Sequence, residues 1–215
     1  MFKTIFQKHK LLWPKKEFIV SILFGLIFLI GGLFINNFAQ IYAANNVNNP
    51  ENDIILDNIP TVDVHLIYSE GAIIFVIFLI IVLLYEPKYI PFVLKSIALF
   101  LIIRSFFMVL THLAPPTAQI YIDPTDFIQK FSHGDDLFFS GHTGLPFLLT
   151  LIFWNRKYLK YIFLVCTLIG GTAVILGHLH YSIDVFSALF ISFGIFYIAK
   201  FLFPKNYQLI SVDKN

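Results

Sequence analysis

Charge is scarce in this sequence. Only 13% of its 215 residues are Asp, Glu, Lys or Arg, against 58% hydrophobic, and the mean hydropathy is +0.78. A soluble domain carries about 25% charged residues, so the composition excludes one and indicates a chain dissolved in lipid. The net charge of +2 is small and scattered, which excludes a nucleic-acid-binding face. Cysteine is nearly absent. Cys166 stands alone inside an apolar run, so no intramolecular disulfide forms and thiol chemistry is not expected. Lys and Arg are missing altogether between Lys16 and Lys88.

Long apolar runs are present instead. They fall at about Phe18 to Phe38, Leu66 to Tyr85, Ile90 to His112, Leu137 to Trp154, Tyr161 to Leu176 and Tyr181 to Phe203, most of them close to the ~20 residues a spanning helix needs. The expectation is an all-α polytopic membrane protein, a bundle of about six transmembrane helices. Residues 1–17 form a basic N-terminal segment, 18–203 the membrane domain and 204–215 a short tail. The first run, Phe18 to Phe34, exceeds the ~7 to 15 apolar residues of a signal core and is read as a retained span. Trp13 and Pro14 before it suit an interfacial anchor. Gly170-Gly171 permits a close helix approach or a kink. Lys and Arg collect at the N-terminus, Lys88, Arg156-Lys157 and the C-terminus, while both long loops are poor in them. Cytoplasmic loops gather such residues, which puts both termini in the cytoplasm and the mouths of the fourth and sixth runs on the non-cytosolic face.

Chemistry-bearing residues gather at those two mouths. His180 and Asp184 are four apart in Gly177-His178-Leu179-His180-Tyr181-Ser182-Ile183-Asp184, and on a helix they share a face. A carboxylate on one imidazole nitrogen fixes the tautomer and leaves the other as base or nucleophile. His142 stands at the mouth of the earlier run, in Ser140-Gly141-His142-Thr143. Two imidazoles and one acid suggest a group-transfer site. Intramembrane ionisable residues are costly and usually functional. Arg104, inside the third run, suits either a structural ion pair or a clamp on a lipid phosphate. Lys95 is expected to snorkel, and His178, two residues from His180, to serve the loop or the surroundings of the site. Tyr121, Phe138, Phe139 and Tyr181 are candidates to face a quaternary amine, and Asp135 and Asp136 to attract a cationic headgroup. His142, His178, His180 and Asp184 are also ligand types for a divalent ion, and the spacing alone does not separate a metal site from a metal-free His–Asp pair.

Asp136-x-x-x-Ser140-Gly141-His142-Thr143 and His180-Tyr181-Ser182-Ile183-Asp184-Val185, with Arg104, Met108, Thr111 and Pro115 upstream, resemble the motifs of the sphingomyelin synthase family, a branch of the type 2 phosphatidic acid phosphatase superfamily. The resemblance covers about Asn58 to Tyr197. It implies six spans and a metal-free, cofactor-free active site. His180 is the implied nucleophile, Asp184 its partner and His142 the acid and base, with Arg104, Asp136, Ser140, Gly141 and Tyr181 lining the substrate. The implied reaction moves phosphocholine or phosphoethanolamine from a phospholipid donor to a lipid-alcohol acceptor such as ceramide through a phosphohistidine. The alternative is a lipid phosphate phosphatase with water as acceptor. Val174 stands where the ordinary phosphatases carry a phosphate-holding Arg, six residues before His180, which favours the transferase branch.

Overall fold

The computed structural model describes residues 2–121 and 138–211. They are all-helical: α1 (Phe2–Leu12), α2 (Lys16–Ala44), α3 (His65–Tyr85), α4 (Ile90–Thr111), α5 (Gly141–Ile152), α6 (Lys157–Leu176), α7 (Ser182–Leu202) and α8 (Pro204–Ser211). Five of these, α2, α3, α4, α6 and α7, are long and apolar enough to cross a bilayer. The chain is a polytopic bundle, as its composition implies.

The fourth expected span differs. α5 has 12 residues, roughly 18 Å at 1.5 Å per residue, too short for a ~30 Å hydrocarbon core. Its apolar sequence is buried by protein instead, with α6 on one side and α7 on the other. Leu148, Leu149 and Phe153 are fully buried there. Around them Phe92, Phe100, Phe139 and Phe163 complete an aromatic core, while Phe190 and Phe201 on α7 are 78% and 83% exposed and suit a lipid-facing surface. Lipid tails offer no hydrophobic drive for helix association, so close packing must hold the bundle together. α2 lies along α4 for this reason: a Cβ on Gly32 would meet the Ala98 carbonyl at 3.1 Å.

Two polar clusters bind the end of the bundle remote from the α5 and α7 N-termini. Buried Glu86, after α3, pairs with Lys8 of α1 at 2.7 Å and Arg156 of the α5–α6 turn at 3.0 Å. Lys95 does not snorkel. It is 5% exposed, and its ammonium donates to Ser21 at 2.7 Å and Asn206 at 2.6 Å. α8 makes this possible by folding back from α7, so the expected tail is a packed helix. Because the Glu86 partners are partly exposed, Glu86→Gln should cost only about 1–2 kcal/mol. A drop of several degrees in the thermal midpoint would register it, and an unchanged midpoint would show the cluster to be idle.

Candidate active site

α6 ends in a turn that aims the following residues back into the bundle. Leu179 N–H donates to the Val174 carbonyl at 2.8 Å and His178 N–H to Ile175 at 3.0 Å, the paired bonds of a Schellman cap. His178 takes the left-handed position, φ 52°, that usually falls to glycine. The expected helical His180–Asp184 face is not how the pair forms. Tyr181 is extended, α7 starts at Ser182, and His180 precedes the helix. Asp184, in the first turn, reaches back: its Oδ2 accepts the Tyr181 N–H at 3.1 Å and the His180 Nδ1–H at 3.3 Å. Against a carboxylate Nδ1 must carry the proton. Nε2 of His180 then holds the lone pair and makes no hydrogen bond among the described residues. Asp184 is fully buried, its Oδ1 has no hydrogen-bond partner among the described residues, and Arg104 lies within coulombic reach of it.

His142 sits in the first turn of α5. Its Nε2 lies 3.2 Å from the Tyr68 carbonyl, so Nε2–H is the donor, and its ring stacks on Tyr68 at 4.3 Å between centroids. Pro146, four residues later, offers no N–H to the His142 carbonyl, and α6 closes on that carbonyl. A Cβ on Gly170 would collide with it. Gly170→Ala must therefore move the backbone that carries His142. Overpacking of this kind costs about 1–3 kcal/mol, and misplacing a reacting group by about 1 Å costs about 10²-fold in rate. Turnover near wild type in purified Gly170→Ala would show that this contact does not set the histidine.

His142, His180, Arg104 and Gly141 line one cavity of about 410 Å³. The rest of its wall is apolar and comes from α3, α4, α5 and α6, with Ile67, Val76 and Ile169 about half exposed. Arg104 Nε donates to the Phe139 carbonyl at 2.7 Å, which ties α4 to the start of α5. Among the described residues no three His, Cys, Asp or Glu side chains gather as a metal site would require, and His178 is outside the cavity lining.

Other expected site residues lie elsewhere. Ser140 is fully buried behind the cavity, donating its N–H to the Asp184 carbonyl at 3.1 Å and accepting from the Thr143 hydroxyl at 3.2 Å. It braces the two motifs against each other instead of touching the lumen. Tyr181 is also sealed off: its hydroxyl donates to the Ala114 carbonyl and accepts the Glu51 N–H, each at 3.0 Å. With Phe139 fully buried, Phe138 packed on Phe107 and Tyr121 exposed outside the cavity, none of the four aromatics faces the lumen. Asp135 and Asp136 lie outside the described residues.

Asp53 and Tyr68 carried no signal in the sequence. Asp53 belongs to the loop after α2, yet its Oδ2 accepts the Ser182 N–H at 2.7 Å, capping α7. Burial pushes this carboxyl up, but the N–H groups of Ser182, Ile55 and Leu56 together outweigh it and hold the pKa below the ordinary aspartate value. A folded pKa below the unfolded ~3.9 gives stability that is complete above about pH 4 and lost as pH falls through the folded value. The stability gap between wild type and Asp53→Asn, about 1 kcal/mol, should close in acid. A gap of equal size at pH 7 and pH 3 would exclude the charged cap.

Residues 134–201, which carry α5, α6 and nearly all of α7 with His142, His180 and Asp184, match the family described as PAP2 superfamily C-terminal. No curated protein matches the chain. The match covers about a third of the chain and points to the PAP2-like superfamily.

Proposed function

We propose that the protein is a phospholipid headgroup phosphotransferase of the sphingomyelin synthase kind. One observation carries this reading: His180, with Nδ1 held by Asp184 and Nε2 left as a lone pair, lines the same apolar cavity as His142 and Arg104. His180 Nε2 attacks the phosphorus of a glycerophospholipid, forming an N–P bond as the bond from phosphorus to the glycerol oxygen breaks. His142 exchanges the Tyr68 carbonyl for that oxygen and protonates it, so that diacylglycerol leaves as a neutral alcohol. An incoming lipid hydroxyl then gives its proton to His142 and attacks phosphorus, breaking the N–P bond. Asp184 stabilises the imidazolium during both steps, and the reaction needs no external cofactor.

Charge matching supports a diester donor over a phosphate monoester. Arg104 is the one permanent cation among the described lining residues, matched to the one negative charge of a phosphodiester. Val174 offers no second: it is fully buried in a cluster with Val64 and Tyr68. The apolar wall suits the acyl chains. By the positive-inside rule the end that holds Lys8, Arg156 and Lys200 is cytosolic and the cavity is on the opposite face.

Purified protein given headgroup-labelled phosphatidylcholine or phosphatidylethanolamine should transfer label to ceramide. Phosphate release from phosphatidic acid, without transfer, would replace this reading with a lipid phosphatase. No turnover of any of these lipids would refute both.

A further inference from the structure

A second cavity, of about 340 Å³, lies at the opposite end of the bundle, between the C-terminal ends of α5 and α7 and the fold-back helix α8. Lys200 lines it. Its ammonium is 4.5 Å from the ring centroid of Tyr207, 4.8 Å from Tyr197 and 5.3 Å from Phe196. The aromatic faces hold this cation in place but supply no negative charge, and Lys200 has no ion-pair partner among the described residues.

Of the other polar side chains in the lining, Ser211 donates its hydroxyl to the Gln208 carbonyl at 3.2 Å and the rest are unspent donors. The Trp154 indole N–H, the Tyr197 and Tyr207 hydroxyls and the Asn155 side chain line the same cavity and make no hydrogen bond among the described residues, and no Asp or Glu of the described chain lines it. A lysine with several free donors and no acidic neighbour among the described residues selects an anion. Phe193 and Trp154 at this cavity are 49% and 57% exposed, and the apolar surface continues along α7 to Phe190 and Phe201. A small soluble anion would leave that surface unused, whereas an amphiphile would cover it. Tryptophan and tyrosine at the end of a span are also what a headgroup-level contact provides.

We infer that this cavity is a binding site for the phosphate of an anionic phospholipid, seated on Lys200 with its acyl chain along Phe193 and α7. The site is separate from the candidate active site, and its existence does not depend on the proposed reaction.

Trp13 and Trp154 are the two tryptophans of the chain, so Trp13→Phe leaves Trp154 as a fluorescent reporter inside the cavity. The test uses the full chain in phosphatidylcholine nanodiscs, in a His180→Ala background so that turnover does not consume the probe. Phosphatidylglycerol with brominated acyl chains should quench Trp154 at about fivefold lower mole fraction than brominated phosphatidylcholine, the preference expected of one lysine at a membrane surface. Lys200→Met should bring the two curves together, and Lys200→Arg should keep them apart, which separates loss of charge from loss of fold. Lys160→Met removes a cation that lies 4.7 Å from the Trp154 ring centroid and outside the cavity lining, and it should leave the preference intact. Equal quenching by the two lipids in the Trp154 reporter protein, or a preference that survives Lys200→Met and disappears with Lys160→Met, would overturn the site. Erasure of the preference by inorganic phosphate at a few millimolar would assign the cavity to a soluble anion and overturn its lipid occupant.

Discussion

Headgroup transfer falls at least about 10⁴-fold when His180 becomes alanine, the loss expected when a nucleophile is removed and only binding and general electrostatics remain. Asp184→Asn is the milder change. An amide oxygen still accepts the N–H groups of Tyr181 and His180 that Asp184 Oδ2 holds at 3.1 Å and 3.3 Å, so the tautomer survives and only the negative charge beside the forming imidazolium is lost. Removing one preorganised electrostatic contact typically costs about 10²–10³-fold, and the gap between the two variants reports the difference between supplying electrons and stabilising charge. Wild-type protein stopped early with labelled donor should carry an acid-labile label that His180→Ala lacks. His180→Ala that folds and retains more than a hundredth of the wild-type rate would remove His180 from the chemistry. So would a label that survives in that variant.

Why His180 and Asp184 were visible in the sequence, and most of their surroundings were not, follows from the range of each interaction. The long apolar runs specify spans without any knowledge of neighbours, because a bilayer imposes one length on all of them. The His180–Asp184 pair is also local, although the contact is made around the α7 N-cap and not along a helix face. The Gly170 approach was legible as a permission, and the structure supplies its target, the His142 carbonyl. Contacts that cross the chain left no pattern. Asp53 meets Ser182 across 129 positions, Arg104 meets the Phe139 carbonyl across 35 and His142 meets the Tyr68 carbonyl across 74. Two of these end on a backbone carbonyl, which every residue has. The shortness of α5 was hidden for a different reason. Hydropathy reports apolar sequence, and a helix buried between α6 and α7 is as apolar as one that faces lipid.

The leaving group determines what His142→Gln costs. In transfer from a natural phospholipid the departing atom is a glycerol oxygen, an alkoxide too basic to leave without a proton, so loss of the general acid should lower turnover about 10²–10⁴-fold. With a p-nitrophenyl ester of the same phosphocholine headgroup the departing phenolate needs no proton, and the step that makes the phosphohistidine should proceed at close to the wild-type rate. A burst of p-nitrophenol stoichiometric with protein, followed by slow turnover, is the expected trace, because the second step still requires a base to take the proton from the incoming alcohol. The variant keeps an amide N–H for the Tyr68 carbonyl that His142 Nε2 meets at 3.2 Å, which guards the α3–α5 contact. Equal losses on both substrates would mean that His142 positions the donor without moving a proton. No loss on either would confine the chemistry to His180 and Asp184 and leave the cavity's second imidazole as a wall residue.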